Sequence, residues 1–466
     1  MGAGMMQLLF FGQQDIYLKS NPSITFFKKV FKTHTNFAME TIKVEFNKSD
    51  SFVYEKTILK TKIPRHADLV AQIYFVFELP EVVSSEEFAF RWVENIGEAI
   101  IDNYYVSIGG SIVDRQYGEF THVMNSLNFS SNKQASYDKM SGNTSQINNP
   151  EFYQNITKSQ SNPPLRYRIG SGYPIGTPYD PDDPSTYNPS IPTRKIYVPL
   201  TFWFNRDTSN ALPLVSLQYS DVEITIELRP WVELYKILYS QNNIINNYAP
   251  DKYNPEHRMI NFISNAKKKF MLSENTINMY SYLEANYIYL DDSERQQFAY
   301  KPLDYIIDQT TRIQYSTLGE NTVIDMVLQN PIKEMVWILK RSDQGVYNNW
   351  FDFQDEFSNI MKSAKIMFNG VDRIEEKDAE YYNYLQPFQH HSGAPKEGIY
   401  MYSFSIFPED YQPSGSVNAS RINNIQLYLN LNKPKNGNYG YDTNIYVVNY
   451  NFLRISSGLA GIVYTS

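Results

Sequence analysis

Cysteine is absent from the 466 residues, which removes disulfides, thiolate zinc sites and cysteine nucleophiles together. A large secreted chain without one disulfide is unusual, so the cytosol is the expected place of synthesis. Long hydrophobic runs are missing too. No stretch approaches the ~20 apolar residues of a membrane-spanning helix. The apolar start, Met5-Met6-Gln7-Leu8-Leu9-Phe10-Phe11, runs into Gly12-Gln13-Gln14-Asp15 without the basic flank or small-residue cleavage site of a signal peptide. Positive charge is in deficit: 42 Lys and Arg against 50 Asp and Glu leave a net charge of −8. That is the wrong sign for a protein that coats DNA, and no direct contact with nucleic acid is expected. The Ala-, Leu-, Glu- and Lys-rich runs of long helices are not there either.

What is present favours strands. The chain carries 38 Tyr and 28 Phe, residue types that suit a pleated, half-buried surface. Period-2 alternation recurs. Ile224, Ile226 and Leu228 oppose Glu223, Thr225, Glu227 and Arg229; Ile425, Leu427, Leu429 and Leu431 oppose Gln426, Tyr428, Asn430 and Asn432; Ile42, Val44 and Phe46 oppose Thr41, Lys43 and Glu45. Each pattern predicts a strand with one buried face. Ile73 to Phe77 is a continuous apolar run, as for a strand covered on both sides. One helix is predicted from Glu86, because Ser84 and Glu87 have capping-box spacing ahead of Phe88, Phe90 and Trp92. The length exceeds what a single core sustains, so two domains are expected.

An internal repeat supports that division. Ser107-Ile108-Gly109-Gly110 with Asp114-Arg115 resembles Met367-Phe368-Asn369-Gly370 with Asp372-Arg373. Lys195 to Leu200 resembles Gly398 to Ser403, and Asn286 to Leu290 resembles Asn444 to Val448. Three matches in one order predict the same β-rich domain twice. The fold class is therefore all-β: two tandem eight-stranded jelly-roll β-sandwiches with short helices and long loop insertions. The expected organisation is an N-terminal arm at 1–27, a first jelly roll at 28–291, a linker at 292–302 and a second jelly roll at 303–466. The shrinking offset between matches places insertions in the first copy. Residues 130–192, rich in Ser, Asn, Pro and Gly, and residues 240–269, rich in Asn and Lys, are read as long surface loops, and the first of them is expected to add little to the core.

Candidate sites are few. His390-His391 leads into Ser392-Gly393-Ala394-Pro395 and reads as a polar pair beside a turn. Six His, at 34, 66, 122, 257, 390 and 391, are too scattered for a jelly-roll metalloenzyme. Gly170-Ser171-Gly172 with Gly176 lacks the strand–turn–helix setting of a phosphate loop. Asp180, Asp182 and Asp183 lack the Gly and distal Glu of a calcium loop. The sequons at Asn47, Asn128, Asn143, Asn155 and Asn418 are expected by chance in so Asn-rich a chain. The basic run Lys28, Lys29 and Lys32 reads either as a solvated flank or as a contact to a partner protein or anionic lipid. No catalytic, cofactor or metal residue is nominated.

Several stretches resemble a known family. They include Gln14-Asp15-Ile16-Tyr17-Leu18 with Asn21-Pro22-Ser23-Ile24-Thr25-Phe26-Phe27, and His34-Thr35-Asn36-Phe37-Ala38-Met39-Glu40. Others are Ala211-Leu212-Pro213-Leu214-Val215-Ser216-Leu217-Gln218-Tyr219, Tyr287-Ile288-Tyr289-Leu290-Asp291, and Gln412-Pro413-Ser414-Gly415-Ser416-Val417-Asn418-Ala419-Ser420-Arg421-Ile422. They are similar, in order and from end to end, to the major capsid proteins of the nucleocytoplasmic large DNA viruses, which include iridoviruses, phycodnaviruses, marseilleviruses and mimiviruses. Val417 stands where relatives often carry Cys. The resemblance implies a non-enzymatic homotrimer of pseudo-hexagonal outline that tiles an icosahedral virion capsid. It also implies an inward-facing arm, minor capsid proteins and an internal viral membrane as partners, and synthesis in the host cytoplasm. The rival reading from another class is a double jelly-roll carbohydrate-binding or hydrolytic protein.

Overall fold

The computed structural model describes residues 2–48, 50–85, 87–150, 166–167, 174–176, 182, 187–241, 244–263, 271–356 and 358–464. The chain divides into two units, Met1–Phe37 and Ala38–Ser466. The first holds two short helices, Ala3–Leu9 and Asp15–Lys19, and a positive-φ turn at Asn21. It takes in the stretch read as an arm together with Lys28, Lys29 and Lys32, all exposed.

The second unit contains sixteen principal strands. In chain order they are β1 (Phe37–Glu45), β2 (Thr57–Lys62), β3 (Leu69–Leu79), β4 (Ile101–Ile108), β5 (Ser111–Tyr117), β6 (Arg194–Pro199), β7 (Val222–Leu228) and β8 (Ser281–Leu290). There follow β9 (Leu303–Leu318), β10 (Asn321–Met326), β11 (Pro331–Arg341), β12 (Met361–Phe368), β13 (Val371–Asp378), β14 (Ile399–Ser403), β15 (Ile425–Leu431) and β16 (Tyr441–Ser456). The first eight form two antiparallel sheets, ordered β1-β8-β3-β6 and β2-β7-β4-β5; the last eight repeat the pattern as β9-β16-β11-β14 and β10-β15-β12-β13. This is a jelly roll twice over. Helix Asp292–Tyr300 lies between β8 and β9.

The alternating segments became strands because only one pleat face carries apolar side chains. Along β15, Ile425, Leu427, Leu429 and Leu431 are buried and the residues between them are half-buried. β3 is covered on both sides, with Ile73, Phe75, Val76 and Phe77 all buried. The β4–β5 and β12–β13 hairpins turn at Gly109-Gly110 and Asn369-Gly370, where both central residues have positive φ. That is the two-residue turn whose twist matches a right-handed ladder, and it selects Gly or Asn.

Three expectations need correction. The helix expected from Glu86, which itself lies outside the described residues, does not run through the residues after it: Ala89–Trp92 is a strand paired with Tyr235–Leu238. Ser84 Oγ accepts from the amide of Phe90 at 3.1 Å, six residues on and outside any helical cap, and the spacing of Phe88, Phe90 and Trp92 is the strand period. The insertions also feed the core. Tyr137, Ser141 and Ile147 are buried within 130–192, and Met259, Phe262 and Ile263 within 240–269. Backbone bridges from Ile191 and Ile263 both close on Val82. Loop-like composition is an average over a window and hides the few side chains that dock. Lastly, two repeat matches were out of register. Val198 pairs with Phe75 as Tyr400 pairs with Trp337, and Leu283 pairs with Phe75 as Ile445 does with Trp337. The equivalences are thus Val198 with Tyr400 and Leu283 with Ile445, shifted by one and four residues from the similarity read in sequence.

Candidate functional site

The densest chemistry lies in the seam between the two sandwiches. Its centrepiece is α1 (Gly118–Asn128), which leaves β5 directly. A Cβ on Gly118 would stand 2.1 Å from the Ile101 carbonyl oxygen and 2.4 Å from that of Glu98, so glycine lets the helix start on the backbone beneath it. One face of α1 looks back into the first sandwich. There Glu98, 1% exposed, accepts from His122 Nδ1 at 2.5 Å, Asn125 Nδ2 at 2.9 Å and the Tyr137 hydroxyl at 2.7 Å. Burial works to raise its carboxyl, but the His122 charge and the three hydrogen bonds outweigh it and hold the group below the usual range.

The other face of α1 packs on the second sandwich. Phe120, Val123, Met124 and Leu127 are buried against Val336, Ile338, Ile399, Met401, Tyr446 and Val448 on the outward side of β11, β14 and β16. The Phe120 and Tyr446 rings stack at 4.8 Å. Above them Glu119 accepts from Lys340 Nζ at 3.0 Å, from the Tyr446 hydroxyl at 2.6 Å and from Asn444 Nδ2. Its carboxyl, which burial would raise, is held low by Lys340 and those hydrogen bonds.

At the other end of α1, His391 closes the seam. Its Nε2 lies 3.0 Å from Glu334, its Nδ1 2.7 Å from Asn128 Oδ1 and 3.6 Å from Glu409. Burial lowers the affinity of this imidazole for a proton; hydrogen bonds and charge from Glu334 and Glu409 outweigh it and push the group up to about 9. His391 is therefore no turn-side polar residue but a buried cation tying β11 to α1, whereas His390 beside it only meets the Ile406 carbonyl. Along the strands, Thr310 donates to Gln116 Oε1, and Gln116 Nε2 donates to both oxygens of Asp114 at 3.0 and 3.1 Å. Burial pushes Asp114 up to about 7. Asp308 receives Arg206 at 2.7 Å and Lys333 at 2.9 Å. From the second sandwich, Asn348 Nδ2 donates to the Val232 and Tyr235 carbonyls of the first.

In this arrangement the polar groups hold and orient one another. Both nitrogens of His391 are taken up by Asn128 and Glu334, and the neighbouring Ser392 hydroxyl donates to Glu409 at 2.5 Å. Among the described residues no group of three or more His, Asp or Glu is gathered for a metal, and no helix is long and apolar enough to cross a membrane. Most of the Gly170–Gly172 and Asp180–Asp183 stretches lies outside the described residues. Lys28, Lys29 and Lys32 belong to the N-terminal unit, with Lys29 Nζ 6.0 Å from the Phe31 ring centre. Sequence reading missed the charge centres at Glu98, Glu119 and His391, whose partners lie far along the chain. The one legible signal was the helical spacing of Phe120, Val123, Met124 and Leu127.

Known proteins share this frame. A family model described as the large eukaryotic DNA virus major capsid protein matches residues 294–461, and one described as the major capsid protein N-terminus matches residues 25–291. The major capsid protein of Phaeocystis pouchetii virus is 30% identical, and that of Paramecium bursaria Chlorella virus 1 is 28% identical, each over 100% of both chains. Among solved structures, the PBCV-1 virus capsid aligns with a TM-score of 0.68 at 23% identity over 95% of this chain and 100% of that chain. The Faustovirus major capsid protein aligns at 0.67 and 12% identity over 97% of this chain and 96% of the other.

Proposed function

The chain belongs to the large eukaryotic DNA virus major capsid proteins, and from that membership we propose that three copies close into a pseudo-hexagonal capsomer that tiles an icosahedral shell. The observation that carries this reading is the duplication. Two sandwiches with the same strand order stand in one chain, so a three-fold axis generates six similar lobes. Closed cyclic symmetry lets a single chain type assemble without open polymerisation. The chain works as a structural protein, through shape and self-association rather than catalysis.

The arm at 1–27, the sandwiches at 28–291 and 303–466 and the linker at 292–302 act as separate parts of this building block. Lys28, Lys29 and Lys32 face the shell interior and meet minor capsid protein or the anionic surface of an internal viral membrane. Their shared exposure supports that role. Synthesis takes place in the host cytoplasm.

Light scattering on the purified chain tests the trimer: a mass near three times 54.3 kDa and hexagonal class averages by electron microscopy are expected. A monomer at every salt and protein concentration overturns it. For the arm, crosslinking in intact particles joins Lys28 or Lys29 to an internal partner. Labelling of those lysines by an impermeant reagent from outside overturns the orientation.

A further inference from the structure

A lysine is buried almost only when a carboxylate touches it, because an ammonium loses its water on burial and needs an opposite charge in return. Lys333 follows that rule: it is 2% exposed and meets Asp308 at 2.9 Å. Lys236 does not. It lies on the strand Tyr235–Gln241 of the first sandwich and is 5% exposed. Among the described residues the one hydrogen-bond partner of its Nζ is neutral, the amide oxygen Oδ1 of Asn349 on the second sandwich.

That meeting is built by the residues around it. Asn349 comes just after the short helix Gln344–Tyr347, which ends at Asn348 with a φ of 52°. Asn348 Nδ2 donates to the carbonyls of Val232 and Tyr235 at 3.0 and 2.9 Å, and Trp350 Nε1 donates to the Glu233 carbonyl at 2.8 Å. The neighbours of Asn349 on either side are thus pinned to the stretch that carries Lys236. Two groups held in contact this way react as parts of one molecule, without the entropy cost of finding each other.

The surroundings suit an acyl transfer. Lys236 and Asn349 line a cavity of about 510 Å³ walled by Trp350, Phe351 and Phe353, and the carboxyls of Glu94 and Asp352 line it too. Burial, helped by the charge of Arg91, pulls the Lys236 amine down to about 8 against the opposing charges of Glu94 and Asp352. A neutral, nucleophilic fraction is therefore present near neutral pH. Burial pushes the Asp352 carboxyl above its usual range, with Glu94 adding to the rise, which fits it to take up and return a proton.

We propose that Lys236 and Asn349 join in an isopeptide bond that ties the two sandwiches together covalently. The lone pair of Nζ attacks Cγ of Asn349 and the Cγ–Nδ2 bond breaks. Asp352 takes a proton from the attacking nitrogen and hands it to the leaving one. An amine and a primary amide become a secondary amide and ammonia, which leaves through the cavity; no oxidant or other reagent is consumed. The bond also removes the buried charge, since the product is neutral. In a chain with no cysteine it is a cross-link that needs no thiol.

Mass spectrometry on the denatured full chain, intact and after digestion, reads the bond directly. The expected result is a branched peptide containing Lys236 and Asn349, lighter by one ammonia than its two parts, from a chain lighter by the same amount. Separate, unmodified Lys236 and Asn349 peptides from folded chain held near pH 8 overturn the bond. A lighter chain without the branched peptide overturns it as well, because the ammonia was then lost elsewhere. Lys236→Met and Asn349→Ala should each abolish the branched peptide. Asp352→Asn should keep the wild-type circular dichroism and be recovered largely unlinked; linkage to the wild-type extent overturns the part given to Asp352 and leaves the bond.

Discussion

His391 Nε2 lies 3.0 Å from Glu334 Oε2, and both side chains are 1% exposed. An ion pair so withdrawn from water holds together only while both partners are charged, and removing one leaves the other unpaired in a low-dielectric setting. The replacement His391→Ala should cost about 3–5 kcal/mol, read as a lowered denaturation midpoint. An unchanged midpoint would show that Glu334 finds compensation elsewhere.

The same pair sets a pH dependence. The folded-state value of about 9 lies above the ordinary 6.5, so the stabilisation is fully present below 6.5 and is lost as pH rises through 9. Melting temperature should therefore fall between pH 6.5 and 9.5 in the wild type and fall less in His391→Gln. Parallel curves would contradict this.

Asp114 acts in a lower window. Its carboxyl is raised from 3.8 to about 7, so the folded state holds its proton more tightly than the unfolded one. Stability then declines as pH rises from about 4 to 7 and levels off above. Asp114→Asn removes the buried charge and should stabilise the chain at pH 8, by at most roughly 4 kcal/mol at about 1.36 kcal/mol per pH unit. A destabilised Asn variant at pH 8 would mean that the charge is used by Arg206 nearby.

Leu127 on α1 is fully buried, whereas Phe388 on the short helix Gln386–His390 is 85% exposed. Leu127→Ala should cost about 2–5 kcal/mol and open the seam to proteolysis. Phe388→Ala should stay within about 0.5 kcal/mol in dissociated chains. Equal effects in monomer would show that Phe388 is covered within its own chain.

Tyr137 gives a test of the first insertion. Its hydroxyl is one of three groups donating to buried Glu98, so Tyr137→Phe should cost about 1–3 kcal/mol. A linker in place of residues 131–148 should cost more, since Ile147 leaves the core as well. Full tolerance of that exchange would return the whole stretch to the surface.

The all-β class, the duplication and the core faces of β7 and β15 follow from the sequence by itself, because a period of two puts Ile224 and Ile226, or Leu427 and Leu429, on one side of any strand they form. The Gly109-Gly110 and Asn369-Gly370 turns are equally local, since positive φ is a property of the residue. Tertiary structure decided the rest. Only the strand registers set Val198 against Tyr400, because similarity of sequence does not tell which residue faces which. Only packing made Ala89–Trp92 a strand despite its cap-like prelude, by offering Tyr235–Leu238 as a partner. His391 meets Glu334 and Asn128 across 57 and 263 residues of chain. Burial and charge come from neighbours in space, and those neighbours exist only once the two sandwiches have closed on each other.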